Sequence, residues 1–384
     1  MKAFIRDPWN LMLLAIPIAI LASLMGWPET WIFIFSALGL IPVARYIGSA
    51  TEVLASHTGP AVGGLLNATL GNAAELIITV VAIREGLLEL VKASITGSIL
   101  GNLLLVLGFS MLLGGLRHGT QTFDKKRASN NAILLVLAVL ALLIPSMFSA
   151  AVGPEGSLKV EALSLGVATI MMILYSLGIY YTLKTQSGPL AAVRTLPPIS
   201  QPVDPAAVPP TMGVMPIPNG TQKPSEKAGN HSQWSIRTAL IVLLVSTAFV
   251  AYLSELLVGA VEPVMISLGI SEFFLGIILI PLIGNVAEHL VAVKVALQDH
   301  MDLSVEIAVS SSLQIALFVA PMLVFISLLL GNPLLLIFNT FELLALVAAV
   351  MITALVSEDG ESNWLEGAEL LAIYFILALA SFLL

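Results

Sequence analysis

The chain has 384 residues, of which 58% are apolar and only 10% are charged, and its mean hydropathy is +1.00. Soluble domains carry about 25% charged residues, so this composition excludes a soluble protein. The net charge of −8, with no basic run that contains aromatic residues, gives no support to nucleic-acid binding, and the absence of cysteine excludes disulfides and thiolate metal sites.

Continuous apolar stretches predict an all-α polytopic membrane protein with about 11 transmembrane helices. The stretches lack the period-two alternation of a transmembrane β-barrel. In chain order, the predicted helices lie near residues 10–26, 30–50, 60–83, 89–115, 128–148, 160–183, 236–258, 272–297, 303–330, 333–356 and 364–384.

One segment, residues 185–234, breaks the apolar pattern and contains ten of the 21 prolines. Such a composition cannot build a packed core, so we predict a flexible cytoplasmic linker. The chain is therefore divided into an extra N-terminal transmembrane helix (1–28), a first five-helix repeat (29–184), the linker (185–234) and a second five-helix repeat (235–384).

The distribution of lysine and arginine predicts a multi-pass protein of the cell (inner) membrane with a cytoplasmic N-terminus. With this orientation only Arg84, Lys92 and Lys159 lie outside. The other 13 of the 16 basic residues lie on the cytoplasmic side: Lys2, Arg6, Arg45, Arg117, Lys125, Lys126, Arg127, Lys184, Arg194, Lys223, Lys227, Arg237 and Lys294.

A short motif occurs once in each half of the chain. Gly71–Leu76 (GNAAEL) matches Gly284–His289 (GNVAEH) with an offset of 284 − 71 = 213 residues, and the same offset places Ser98 on Ser311 in the next helix. The two motif helices are five helices apart, and an odd separation gives them opposite orientations. The sequence therefore predicts an inverted-topology repeat, an architecture of secondary transporters whose substrate site lies near the middle of the membrane.

Each motif places an acid in the middle of a predicted transmembrane helix. An ionisable group in this position is costly unless it has a partner, so Glu75 and Glu288 are candidate functional residues. Positions i and i+3 share one face of a helix, which places Asn72 beside Glu75 and Asn285 beside Glu288. The alternative interpretation is that each Glu only forms a hydrogen bond to a neighbouring helix. That interpretation does not explain why the motif occurs in two symmetric copies.

The helices that follow the motifs supply further neutral oxygens, from Ser98 in the first half and from Ser311 and Gln314 in the second. Gly71 and Gly284 are expected to weaken the motif helices and to free backbone carbonyls. Carboxylate, amide, hydroxyl and carbonyl oxygens are the ligands of hard divalent cations such as Ca²⁺, whereas softer metals favour His or Cys. The cation is expected as a transported substrate, and no cofactor is predicted.

At these motifs the sequence resembles the calcium/proton exchanger (CAX) family of the cation/Ca²⁺ exchanger superfamily, through residues 63–76, 97–104, 284–289, 310–317 and 359–367. The resemblance implies one extra helix plus two inverted five-helix repeats. It also implies alternating-access export of cytosolic Ca²⁺ in exchange for H⁺. The alternating Ca²⁺ and H⁺ sites would then be the two motif glutamates, surrounded by the amide and hydroxyl residues named above. The linker is proline-rich, whereas many relatives carry an acidic stretch at this place. The resemblance therefore does not imply ion sensing by an acidic loop.

Four other polar residues lie in predicted helices. Glu52 and Glu255 lie near helix ends and are entrance groups, proton relays or simply interfacial acids. His289 follows Glu288 directly and points about 100° away from it, which favours a packing role over a ligand role. Glu342 has no acidic counterpart in the first half and is interpreted as a tie between helices.

Three competing functions remain open at this stage. A Na⁺/Ca²⁺ exchanger of the same superfamily would have motifs like Gly-Thr/Ser-Ser-x-Pro-Glu or Asp, but here Asn72 and Asn285 follow the glycines and no proline precedes the acids. A passive divalent-cation channel needs no inverted repeat and usually builds its pore by oligomer symmetry. An intramembrane hydrolase would not need flanking asparagines, so no enzyme is predicted. The expected partners are Ca²⁺, H⁺ and the lipid bilayer, and association into a homo-oligomer is left open.

Overall fold

The computed structural model describes residues 8–154, 156–185 and 234–384. The predicted linker at 185–234 lies outside the described residues except for its two end residues. The helices of the first half are α1 Pro8–Met12, α2 Ala15–Leu24, α3 Glu29–Leu70, α4 Ala73–Arg84, α5 Leu88–Leu100, α6 Leu107–His118, α7 Lys125–Val152 and α8 Leu158–Thr185.

The second half is likewise built from helices joined by short connectors. Its helices are α9 Ile236–Gly259, α10 Val261–Leu268, α11 Glu272–Phe274, α12 Ile280–Ala296, α13 Met301–Gln314, α14 Ala320–Leu330, α15 Thr340–Val356 and α16 Trp364–Leu383. Two short strands, β1 Gln121–Thr122 and β2 Glu361–Ser362, pair antiparallel and join the connector before α7 to the connector before α16.

The prediction of an all-α polytopic membrane protein is confirmed. Within the described ranges, eight helical runs are long and apolar enough to cross a membrane, and Trp9–Leu24 and Thr340–Val356 are shorter apolar helices. Apolar side chains remain exposed at helical spacing along α7, as expected of a face that contacts lipid. These side chains are Ile133, Leu137, Leu140, Ile144 and Met147.

The chain between the second and third predicted helices differs from the prediction. Helical geometry runs through α3 and ends at Leu70, whereas two helices are predicted at 30–50 and 60–83. The run is not straight, because a Cβ on Gly63 would lie 2.6 Å from the carbonyl oxygen of Ala55. Residues eight positions apart in a straight helix are separated by about 12 Å along its axis. The chain therefore bends back between these two residues.

The prediction of a helix at 333–356 is wrong over its first seven residues, because α15 begins only at Thr340. The preceding backbone is extended. The N–H groups of Leu334, Leu336 and Phe338 donate to serine hydroxyls of α14, α8 and α7 at 2.8, 3.2 and 2.8 Å. These side chains satisfy alternate backbone donors that would otherwise be buried unpaired, so the segment does not need helical hydrogen bonds.

Three π-helical segments widen the helices near the middle of the fold. Leu275–Leu279 joins α11 to α12, and Ile315–Val319 joins α13 to α14. Pro281 and Pro321 follow these segments by two residues, and a proline leaves the carbonyl four residues earlier without its N–H partner. The third segment, Gly101–Val106 between α5 and α6, corresponds to positions 314–319 under the 213-residue offset and so overlaps Ile315–Val319.

Small residues allow several helices to approach closely. A Cβ on Gly97 of α5 would overlap the carbonyl of Ile277, and one on Gly276 would lie 2.6 Å from Cβ of Ala93. A second close approach joins α6 to α16, where a Cβ on Gly367 would overlap the backbone nitrogen of Leu112. These contacts are possible only because glycine has no side chain.

We predict that Gly367→Ala destabilises the protein by about 1–3 kcal/mol, because the added methyl group must push α16 away from α6. The matched control is Gly166→Ala in α8, where a Cβ meets nothing within 4 Å. That change should be neutral or stabilising by up to about 1 kcal/mol, since alanine favours the helix. Thermal unfolding of the two variants in detergent measures the difference. Equal midpoints for both variants would contradict the close-contact interpretation.

Candidate cation site

The helices α4, α5, α12 and α13 bring the two sequence motifs together. Glu75 lies in the first turn of α4, directly after a break in the helix at Gly71–Asn72. Glu288 lies in the middle of α12, which passes through Gly284 without interruption. The expected weakening by the motif glycine is thus seen in the first half only. In the second half, the irregular backbone lies earlier, in the π-helical segment before Pro281.

Glu75 is buried and belongs to a network that joins both halves. Its side chain is 3% exposed, and the hydroxyl of Ser98 donates a hydrogen bond to its Oε1. Asn285 of the second motif donates from Nδ2 to Oγ of Ser98 at 3.3 Å. The other carboxylate oxygen of Glu75, Oε2, is buried without a hydrogen-bond partner in the part of the chain that the structure describes. This oxygen is available to bind a cation.

Glu288 has an equivalent partner in its own half. The hydroxyl of Ser311 donates to Oε2 of Glu288 at 2.5 Å, and the two residues are 23 positions apart, as are Glu75 and Ser98. Glu288 is half-buried, whereas Glu75 is fully buried. The two halves therefore use the same serine–carboxylate pair, but Glu288 is less deeply buried than Glu75.

A direct amide contact also crosses between the halves. Asn72 donates from Nδ2 to Oε1 of Gln314 at 2.9 Å. The position that corresponds to Gln314 in the first half is Gly101, and a Cβ there would lie 4.0 Å from Cε1 of His289. The His289 ring thus lies beside the space that an amide side chain fills in the other half.

Each of the seven predicted site residues takes part in a side-chain hydrogen bond with another of them. The four pairs form three groups: Asn285–Ser98–Glu75, Ser311–Glu288 and Asn72–Gln314. Among the described residues, no group of three or more His, Cys, Asp or Glu side chains is arranged to hold a metal ion. A cation at this site would be held by two carboxylates and neutral oxygens.

The secondary candidates lie in different surroundings. Glu52 is exposed, and Glu255 is exposed and forms an ion pair with Arg84 at 3.2 Å. His289 is 8% exposed, and its Nε2 lies 3.2 Å from Oδ1 of Asn102. The sequence analysis missed Asn102, although it lies inside the stretch 97–104 that carries the family resemblance.

Two buried acids outside the site have structural partners. Glu342 closes a capping box with Asn339 at the start of α15 and accepts a hydrogen bond from Thr96 of α5 at 3.4 Å. Glu306 of α13 is 4% exposed and pairs with Arg127 of α7 at 2.8 Å. The sequence analysis did not single out Glu306, and its signal was an acid within an otherwise apolar predicted helix.

The charges of the site define what it can bind. The helix α12, which carries Glu288, packs directly against Glu75, since a Cβ on Gly284 would lie 3.8 Å from Cβ of Glu75. Two negative charges in a medium of low dielectric constant need a compensating charge, which either a divalent cation or protons can supply. The surrounding hydroxyl and amide oxygens suit a hard cation. The geometry therefore supports a site that exchanges a divalent cation for protons.

Comparisons with known proteins agree with this chemistry. The sequence profile of the sodium/calcium exchanger protein family matches residues 28–184 and 238–383. A Ca(2+)/H(+) antiporter of Aphanothece halophytica is 44% identical over 371 residues, which cover 97% of this chain and 95% of that protein. The Ca(2+)/H(+) antiporter ChaA of Bacillus subtilis (strain 168) is 42% identical over 370 residues, which cover 96% of this chain and 97% of that protein. The structure of native YfkE has a TM-score of 0.79 and 39% sequence identity, covering 98% of this chain and 100% of that chain.

We predict that Ser98→Ala weakens Ca²⁺ binding about tenfold, because Glu75 loses a charge-assisted hydrogen bond that orients its carboxylate. Ser94→Ala is the matched control, since Ser94 lies one turn earlier in α5, is 1% exposed and has no hydrogen-bond partner for its hydroxyl among the described residues. Titration calorimetry in detergent measures both affinities. If both variants weaken binding equally, the contact between Ser98 and Glu75 has no specific role.

Proposed function

The chain belongs to the sodium/calcium exchanger protein family, and we propose that it is a Ca²⁺/H⁺ antiporter in which Glu75 and Glu288 alternately bind Ca²⁺ and protons. The curated relatives named Ca(2+)/H(+) antiporter match nearly the full length of the chain, which supports the exchange reaction. The site assignment is supported by a single observation: each motif carboxylate accepts a hydrogen bond from the serine 23 positions later, and Asn285 of the second motif donates to the serine of the first half.

Ca²⁺ binding uses the ionised form of both glutamates. The unpartnered Oε2 of Glu75 and the carboxylate of Glu288 neutralise the two positive charges of the ion. The hydroxyls of Ser98 and Ser311 hold the carboxylates in place, while amide oxygens from Asn72, Asn285 and Gln314 provide neutral ligands. Ca²⁺ accepts about 6–8 oxygen ligands in flexible geometry, whereas Mg²⁺ demands an octahedral arrangement, so the site favours Ca²⁺.

Proton binding then resets the empty carrier. When Ca²⁺ leaves, two neighbouring anions remain in a medium of low dielectric constant and repel each other. Protonation of both carboxylates removes this repulsion and gives a neutral site, which can change its access from one side of the membrane to the other. This minimal cycle exchanges two protons for one Ca²⁺ and moves no net charge.

If the N-terminus is cytoplasmic, as proposed, the packing of the helices leaves the site open towards the cytoplasm. On the outer side, α5 packs tightly on the segment before α12, through Gly97 with Ile277 and Gly276 with Ala93. Gly63 corresponds to Gly276 under the 213-residue offset, but it lies against Ala55 within its own helix. Among the residues that the structure describes, the close packing of these glycines on the opposite half is therefore seen at the outer end. The half-buried Glu288 fits access from the opposite, cytoplasmic end.

We predict that Glu75→Gln and Glu288→Gln each abolish Ca²⁺ transport, because glutamine keeps the shape but neither balances the charge of Ca²⁺ nor accepts the exchanged proton. Glu262→Gln, at an exposed position on α10, is the matched control and should transport normally. Uptake of radioactive Ca²⁺ into inside-out vesicles measures the rates, with protein amount checked by immunoblot. Native rates in either site variant would overturn the assignment of that glutamate.

The same vesicles distinguish the driving ion. A pH gradient should drive Ca²⁺ uptake by the native chain, and an equal Na⁺ gradient without a pH gradient should not. Uptake driven by Na⁺ alone would make the chain a Na⁺/Ca²⁺ exchanger, and Ca²⁺ flux without either gradient would indicate a channel.

We predict that Ca²⁺ uptake slows as the pH falls on the side from which Ca²⁺ binds. Protons and Ca²⁺ compete for the same carboxylates, so more Ca²⁺ should be needed for half-maximal transport at lower pH. Since the proposed cycle is electroneutral, potentials clamped with valinomycin should leave the rate nearly unchanged at a fixed pH gradient. A several-fold change with potential would contradict a cycle of two protons per Ca²⁺ and would require a third titrating group.

A further inference from the structure

The C-terminal end of α4, the helix that carries Glu75, is held by the second half of the chain. Asn332 donates from Nδ2 to the backbone carbonyls of Ile83 and Arg84 at 2.9 and 3.4 Å. Asn332 lies in the connector that follows α14. The last carbonyls of a helix have no partner within it, so these hydrogen bonds cap α4 from outside.

The C-terminal end of α12, the helix that carries Glu288, is held by the first half in the same way. Gln121 donates from Nε2 to the carbonyl of Ala296 at 3.0 Å, and Nε2 of His118 lies 3.0 Å from the carbonyl of Leu297. Gln121 is 3% exposed and lies in the connector that follows α6. The donors to α12 thus come from the half that does not contain it.

The capped carbonyls occupy corresponding positions. Adding 213 to 83 and 84 gives 296 and 297, which are the positions of the capped carbonyls at the C-terminal end of α12. The donors lie at or just after the ends of α6 and α14, at residues 118 and 330, which agree with the offset to within one residue. The donor residues themselves are not equivalent, since Asn332 corresponds to Gly119. Each half therefore caps the equivalent end of the other half's motif helix, with different side chains.

In each motif helix, the capped C-terminal end lies far from the carboxylate. The irregular backbone lies on the N-terminal side of the carboxylate. Glu75 and Arg84 are nine residues apart, about 14 Å along the helix, and Glu288 and Leu297 have the same separation. The chain is broken just before α4 at residues 71–72, and it is π-helical just before α12 at residues 275–279. Each motif helix is thus attached at its C-terminal end and irregular at its N-terminal end.

We propose that Asn332 and Gln121 are positioning residues that attach the C-terminal ends of α4 and α12 to the opposite half as fixed pivots. The helices reorient about these pivots by adjusting the irregular backbone before them, while the carboxylates stay aligned with each other. This inference rests on the proposed Ca²⁺/H⁺ exchange, because the pivots act through Glu75 and Glu288 and do not touch the ions.

The first test removes the capping donors and keeps the size of the side chains. Asn332→Asp and Gln121→Glu replace each donating amide by a carboxylate oxygen that repels the helix carbonyls. Gln121 also donates from Nε2 to Oδ1 of Asp299 at 2.8 Å, so Gln121→Glu removes a second contact just after α12, and Asn332→Asp is the cleaner variant. The maximal rate of Ca²⁺ uptake driven by a pH gradient should fall about tenfold. The Ca²⁺ concentration for half-maximal uptake should stay within about twofold, because the site itself is unchanged.

The matched control is Asn363→Asp at the start of α16. Asn363 accepts hydrogen bonds from Leu365 and Glu366 through Oδ1, so aspartate keeps both contacts while it loses the same amide nitrogen. The control should transport at the native rate. If Asn332→Asp and Asn363→Asp have equal rates, or if the loss appears only in the half-saturating concentration, the pivot role is refuted.

A second test replaces the hydrogen-bonded attachment by a covalent one. The chain has no cysteine, so Arg84→Cys combined with Asn332→Cys introduces one possible disulfide at the outer pivot. The reduced double variant lacks the capping amide of Asn332 and should transport slowly, whereas oxidation should raise its rate, because the cross-link restores a fixed pivot. An equal or lower rate after oxidation would show that a fixed contact at this position does not serve transport and would overturn the proposal.

The native chain in the same vesicles separates the two hypotheses. If it shows no Ca²⁺ uptake with a pH gradient, the proposed exchange itself fails. If it transports and the capping variants or the cross-link do not behave as stated, only the pivot proposal fails.

Discussion

Two carboxylates that share one low-dielectric site need a positive partner, and much of the structure serves this constraint. Glu75 is buried with one unpartnered oxygen, and Glu288 meets it from the other half of the chain. Ca²⁺ or a pair of protons can supply the missing charge, and neither can bind fully while the other is present. Exchange thus follows from electrostatics, provided that the protein opens the site to one side at a time.

The backbone around the site is irregular where such opening requires it. The helix is interrupted before Glu75, and a π-helical segment precedes Glu288 by two turns or more. Beyond the carboxylates, both helices are regular and end at carbonyls that the opposite half caps. The halves also differ in how their glycines pack. Gly97 lies tightly against Ile277 of the other half, whereas Gly63 lies against its own helix.

Sequence reasoning singled out Glu75 and Glu288 as candidates because acids are rare inside apolar helices and because the same six-residue pattern occurs twice. The spacing of Asn285 to Glu288, and of Ser311 to Gln314, follows from helical geometry alone. Sequence reasoning did not identify which side chains pair between the two halves of the chain. The contact of His289 with Asn102, and that of Arg127 with Glu306, join residues more than 170 positions apart, for which no local pattern exists.

The sequence by itself determined the class of protein, the two motifs and the kinds of atom at the site, since hydropathy and local spacing are properties of the chain. The tertiary structure decided where the helices break. Gly71 interrupts its helix and the equivalent Gly284 does not, because backbone geometry depends on what packs against it. Only the folded chain could make residues 332–339 extended, since the hydroxyls that satisfy their backbone come from three distant helices.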